Sequence, residues 1–309
     1  MSVTEDKAAL IVRKPAAAGV ETPFMRFRSD FTDSWVATAA LAVLCLIILI
    51  AVFAPLIAPQ NPYDLGQVDI MESRQPPGSR SFQGYIFLLG SDGAGRDLFS
   101  AILYGLRISL SVGAMSGVIA LAIGSTVGLA AAYLGGRTEA FIMRVVDIQL
   151  SFPAILIALM LLAVFGKGVD KIMIALVTVQ WAYYARTVRS SALVERSKEY
   201  VEAANCLGLS HKRILFRHIL PNCLAPLIVV GTVQTAHAIA LEATLSFLGV
   251  GLPQTEPSLG LLISNGFEYM LSGRYWISFF PGIALLVTIV SINLVGDQLR
   301  DVLNPRLQR

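Results

Sequence analysis

The sequence is poor in charge, cysteine and histidine. Asp, Glu, Lys and Arg make up only 15% of the 309 residues, whereas 55% are hydrophobic and the mean hydropathy is +0.67. Soluble domains carry roughly 25% charged residues, so the composition excludes a soluble enzyme and a disordered chain. Three cysteines, Cys45, Cys206 and Cys223, show no CxxC spacing and build neither a disulfide framework nor a zinc site. Cys45 lies in an apolar run and reads as a small packing residue. Only His211, His218 and His237 are present, so there is no HExxH, and GxxxxGK[ST] is missing too, which removes the metalloprotease pair and the ATP cradle. The net charge of +3 comes without a basic stripe interleaved with aromatics, which argues against nucleic acid as a partner. Residues 1–34 hold no short apolar core with a cleavage site, so the first apolar run is expected to stay in place as an anchor.

Long apolar runs are what the chain does have. Crossing about 30 Å of hydrocarbon takes about 20 apolar residues in a helix, because lipid leaves backbone polar groups no partner outside the helix itself. Six stretches qualify: Trp35–Ala58, Ile108–Leu134, Val145–Phe165, Ile172–Val188, Leu224–Leu248 and Trp276–Val295. The fourth is the weakest, being short and ending near Arg186. With both termini inside, 17 of the 24 Lys and Arg face the cytoplasm and 7 the outside, the orientation favoured by the positive-inside rule. The expected plan is a tail over 1–34, a first span over 35–58, an outside loop over 59–107, a membrane core over 108–299 with an inside loop over 189–221, and a tail over 300–309.

The inside loop is the most informative segment. Glu199, Tyr200, Glu202, Ala203 and Ala204 suit a short helix. Gly208 suits its C-terminal turn, Ser210 an N-cap for a second helix and Pro221 the start of the fifth span. The predicted shape is helix, tight turn, helix, with Ala203 and Ala204 leaving little bulk on one side. On spacing alone a charged helical loop is equally a solvated surface.

The arrangement Glu202-Ala203-Ala204, Gly208 and Leu220-Pro221 matches the EAA motif of ABC importer permeases, and the chain resembles the peptide/opine/nickel permease family. LGSDGAGRDLFSAILYGLRISLSVG (Leu89–Gly113) is similar to the family's segment before the second span, IMRVVDI (Ile142–Ile148) to the opening of its third, and FPGIALLVTIVSINLVGDQLRDVLNP (Phe280–Pro305) to its C-terminal signature. His218 departs from the general motif, which has Ile there. The resemblance implies an all-α integral membrane protein with the six-helix MetI-like fold of type I importer permeases, in a bacterial inner membrane. It implies a second homologous permease, two cytoplasmic ATPase subunits that use ATP and Mg2+, and an extracytoplasmic substrate-binding protein. This chain is then no enzyme and holds no cofactor or metal of its own. The family also implies docking of Glu202, Ala203, Ala204, Gly208, Leu220 and Pro221 on an ATPase, and transport of di- or oligopeptides, with nickel, glutathione, opines or sugars as alternatives.

Polar residues inside spans are costly and therefore functional candidates. Gln234, His237 and Glu242 are candidates for the translocation pathway, although at about 100° per residue His237 and Glu242 point about 140° apart. Arg144 and Asp147 read as a local ion pair, Gly113/Gly117 and Gly124/Gly128 as small-xxx-small packing pairs, and Pro153 as a kink. Ser91–Asp97 does not complete GxGxxG and reads as a structural turn. Two rival classes remain: an intramembrane serine protease, weakened by Ala-Met-Ser-Gly in place of GxSG at Ser116, and an ion-coupled secondary carrier, weakened by the lack of an internal repeat.

Overall fold

The computed structural model describes residues 23–64 and 66–303, so residues 1–22 and 304–309 of the expected tails lie outside the described residues. Every regular element among the described residues is helical: α1 (Pro23–Thr32), α2 (Trp35–Val52), α3 (Ala54–Ile57), α4 (Leu98–Leu134), α5 (Gly136–Ser151), α6 (Ala154–Phe165), α7 (Val169–Arg196), α8 (Glu199–Cys206), α9 (His211–Arg213), α10 (Leu224–Phe247), α11 (Leu259–Phe267) and α12 (Trp276–Leu303), with a few short 3-10 and π turns. Four continuous helical stretches are long and apolar enough to cross a membrane: Trp35–Val52, Leu98–Leu134, His211–Phe247 and Trp276–Leu303. The pair α5 and α6 supplies a fifth if counted as one span.

That pair shows how far the expected kink in the third span goes. Pro153 does more than kink it: the chain bends by 90° between α5 and α6. Phe152 is extended, at φ −89° and ψ 141°, the conformation that the ring of a following proline imposes. The expected fourth span lies within α7, whose 28 residues cover about 42 Å but are not apolar enough to count. Only with α7 does the tally reach six. Its polar residues are tolerated because it packs along α4 rather than facing lipid on all sides.

Glycine makes that packing close. A Cβ on Gly124 would come within 2.4 Å of the Trp181 carbonyl oxygen, and one on Gly128 within 2.4 Å of that of Ala185. About three turns earlier, a Cβ on Gly113 would meet Ile239 of α10 at 2.7 Å. The small-residue stripe therefore serves helix approach, as expected. Ser116 directs its hydroxyl back to the Gly113 carbonyl at 3.2 Å. Cys45, expected to pack inside, is exposed on α2, because a uniformly apolar helix gives no sign of which side meets lipid.

At one end of the bundle the segment 59–97 forms a hydrogen-bonded cap. The buried Glu72 carboxylate accepts from the Ser81 hydroxyl at 2.9 Å and from the Phe82 amide. Gln60 accepts the Asp97 amide at 2.6 Å. Ser91–Asp97 is the expected structural turn: Asp92 accepts the amides of Ala94 and Arg96, both at 2.9 Å, and pairs with the Arg96 guanidinium at 2.7 Å. Asp97 then caps α4 by accepting the Ser100 amide at 2.8 Å, so the helix starts well before the apolar run. Burial pushes the Asp97 carboxyl up from 3.8, partly opposed by its bonds from Ser100.

Candidate functional site

The opposite end of the bundle carries α8. Its C-terminus closes as a Schellman turn, with the Gly208 amide on the Asn205 carbonyl at 3.0 Å and the Leu209 amide on that of Ala204 at 3.2 Å. Gly208 sits at φ +69°, where a side chain would be strained. Ser210 occupies the N-cap position of α9, but its side chain makes no capping bond. The second helix also runs on through Pro221, the expected start of the fifth span. A π-helical stretch, Ile214–Ile219, and a 3-10 turn, Leu220–Cys223, carry it into α10, since Pro221 lacks the N–H for α-geometry and its ring needs room on the turn before.

The helix α8 is two-faced. Val201 and Ala204 are buried in one cluster with Leu129 of α4, Val188 and Ala192 of α7, Ile214 and Ile219 of the π-helical stretch, and Leu227 of α10. Glu202 and Ala203 are exposed, next to Cys206 and Leu207. Of the predicted motif, Gly208 and Pro221 are also exposed and Leu220 is half-buried. So Ala204 belongs to the inner face and its neighbours to the outer one.

Sequence reasoning missed the network that fastens this helix. Tyr200 donates to the Glu195 carboxylate at 2.8 Å, Asn222 donates to the Tyr200 oxygen at 3.0 Å and to the His218 carbonyl at 2.8 Å, and Lys198 pairs with Glu195 at 2.6 Å. Burial first, then the Glu195 carboxylate, pushes the Tyr200 hydroxyl up from 10.0. A second tie joins the Tyr133 hydroxyl at the end of α4 to His211, with the Arg196 guanidinium over the Tyr133 ring. The only sequence signal was the polar type of these residues beside the motif.

Between α7, α10, the end of α12 and α1 lies a cavity of about 1810 Å³. Glu195 and Asn222 form part of its wall at the α8 end, so the network that holds α8 also borders the cavity. The amphipathic α1 closes one side: Phe27 and Phe31 pack on Val295 and Val302 of α12, Gln298 donates to the Asp30 carbonyl at 3.1 Å, and Arg26, Asp30 and Asp33 face the cavity. Deeper in, the wall is made by Leu150, Tyr183, Val229, Val233 and Gln234.

The three pathway candidates separate. Gln234 is buried and lies on the cavity wall. His237 is exposed on another face of α10 and does not border it. Glu242 is fully buried and accepts the hydroxyls of Ser109 of α4 and Ser246, both at 2.8 Å, with Ser258 beside it. Its geometry is that of a tie between helices. The expected Arg144–Asp147 pair is replaced by Arg186–Asp147 at 2.5 Å, which links α7 to α5; the longer reach across the helix interface wins over the neighbour three residues away. No group of three or more His, Cys, Asp and Glu able to hold a metal exists among the described residues.

Residues 120–309 match the family described as binding-protein-dependent transport system inner membrane component, and residues 22–77 match the N-terminal TM domain of oligopeptide transport permease C. The chain is 43% identical over 268 residues to a peptide transport system permease protein of Brucella suis whose assignment is provisional, covering 87% of each chain. It is 38% identical to the dipeptide transport system permease protein DppC of Escherichia coli K12 over 99% of each, and 35% identical to the di/tripeptide permease DppC of Pseudomonas aeruginosa over 93% of each. Inward-facing structures of the MetNI methionine ABC transporter share the fold, with TM-scores of 0.54 and 0.55 at 18% and 20% identity, covering 66% and 67% of this chain and 96% and 98% of theirs. A helical bundle with an exposed helix braced against its spans and a family match over most of its length lead to one conclusion: the chain belongs to the binding-protein-dependent transport system inner membrane components, as a multi-pass inner-membrane permease subunit of an ABC importer.

Proposed function

We propose that this chain forms half of the translocation pathway for di- or oligopeptides, coupled through α8 to cytoplasmic ATPase subunits. The observation that carries the coupling is the two faces of α8: Glu202 and Ala203 point outward while Val201 and Ala204 are embedded in the cluster that unites α4, α7 and α10. A push on the outer face therefore reaches the helices that wall the cavity, because a packed cluster moves as a body rather than yielding locally. The small Ala203 side chain lets a partner surface approach, and Glu202 offers it a charge.

The α8 end is then cytoplasmic, with both termini on that side, and the cap of residues 59–97 extracytoplasmic. Peptide is favoured as substrate by the relatives, three of which are described as peptide, dipeptide or di/tripeptide permeases. The assembly comprises a second permease, two ATPases that bind ATP and Mg2+, and a binding protein that delivers substrate to the cap. Closure of the ATPases on ATP draws the coupling helices together and turns the cavity outward; hydrolysis resets it. Transport is tested by purifying the tagged chain in mild detergent and identifying what stays bound. Recovery of a second permease and P-loop ATPases, with ATP-dependent peptide uptake in liposomes, is the expected result. A chain that purifies alone and transports without ATP would establish an ion-coupled carrier instead.

A further inference from the structure

Three side-chain amides border the large cavity: Asn222, Gln298 and Gln234. Two are committed to the protein. Asn222 donates to Tyr200 and His218, and Gln298 to the Asp30 carbonyl. Gln234 is 6% exposed, and its Nε2 is buried with no hydrogen-bond partner among the described residues. A buried amide without a partner is costly, and such a group persists where it serves a ligand rather than the fold.

Position adds to this. Gln234 lies about 18 Å along the helix axis from Asn222, at the deep end of the cavity, whereas Asp30, Glu195, Arg300 and Asp301 border it nearer the α8 end. Around Gln234 the wall contributes Val229, Val233 and Leu150, which have no hydrogen-bonding side chain, and Tyr183, which adds a single hydroxyl. A side-chain amide presents a donor and an acceptor in one plane, the complement of a peptide bond, and a set of apolar neighbours discriminates weakly among substrate side chains.

We propose that Gln234 hydrogen-bonds a backbone amide of the transported peptide at the deep end of the cavity, so that this subunit selects for the peptide bond and not for side chains. This inference rests on the peptide-permease reading above. The same geometry disfavours a metal ion as cargo at this point, since the deep wall offers no cluster of metal-binding side chains among the described residues.

The test uses the complete complex in liposomes, with uptake measured for a dipeptide and for its trans-alkene isostere, which lacks both the carbonyl and the N–H of the peptide bond. Gln234→Met keeps the length of the side chain and removes the amide. The expected result is a Tm of the purified complex that is unchanged or higher, with dipeptide uptake lower by about tenfold, the factor carried by one hydrogen bond of about 1.4 kcal/mol. The isostere should enter wild type and variant at equal rates, and Gln234→Asn, which retains an amide, should recover part of the preference. A lower Tm accompanied by an equal loss for both substrates would make Gln234 a structural residue and overturn the proposal, as would undiminished dipeptide uptake by Gln234→Met. If the wild-type complex hydrolyses ATP but takes up no peptide at all, the peptide reading itself falls, and this inference with it.

Discussion

Glu242 of α10 accepts a hydrogen bond from the Ser109 hydroxyl of α4 at 2.8 Å, across 133 residues of sequence and in the fully buried interior of the bundle. A second bond from Ser246 at 2.8 Å lies on the same carboxylate. Removing the carboxylate strands these hydroxyls and leaves a void. Glu242→Ala should therefore destabilise the chain by about 2–4 kcal/mol, and Glu242→Gln, which keeps the shape and an acceptor, by clearly less. Thermal unfolding of the detergent-purified protein measures both; equal Tm values for the two variants would remove the assigned role.

Glu202→Arg and Ala203→Trp change only the exposed face of α8. Both should leave membrane insertion and Tm within about 0.5 kcal/mol of wild type while abolishing ATP-driven uptake and the recovery of ATPase subunits in pull-downs. Ala204→Trp is the contrasting variant, since its side chain faces the cluster with Val188 and Leu227. Overpacking there should cost about 1–3 kcal/mol and show in Tm first.

Gly124 and Gly128 set the distance between α4 and α7. Gly124→Ala puts a methyl group within 2.4 Å of the Trp181 carbonyl oxygen and 2.9 Å of the Ala185 nitrogen, and backbone atoms cannot rotate away as a side chain can. The expected loss is about 3 kcal/mol. Gly208→Ala is different in kind: no atom lies within 4 Å of the added Cβ, so only the strain of φ +69° remains, about 1–2 kcal/mol, confined to the turn after α8. Hydrogen exchange should report the second change locally and the first across both helices.

The raised carboxyl of Asp97 gives the cap a pH dependence of definite sign. Its folded pKa lies above the unfolded one, so its contribution favours the fold most at low pH and is lost as pH rises through the raised value. Protection of residues 59–97 against proteolysis should thus increase on mild acidification, and Asp97→Asn should flatten that response. Asp97→Ala should instead weaken the cap at every pH, by about 0.5–2 kcal/mol, through loss of the N-cap of α4.

The amino-acid sequence by itself marked long apolar runs that water cannot hold, the turn at Ser91–Asp97, the glycine stripe of α4 and the motif around Glu202. Each is a local property: run length, backbone freedom or residue spacing. The tertiary structure alone decided which side of each helix is inside. Lipid and protein interior are equally apolar, so hydropathy could not show that Cys45 faces outward, that Glu242 ties α10 to α4 while Gln234 borders the cavity, or that Asp147 reaches Arg186 across the helix interface instead of Arg144 beside it. The same holds for the network of Glu195, Tyr200 and Asn222, whose members come from three elements and acquire their purpose only when packing brings them together.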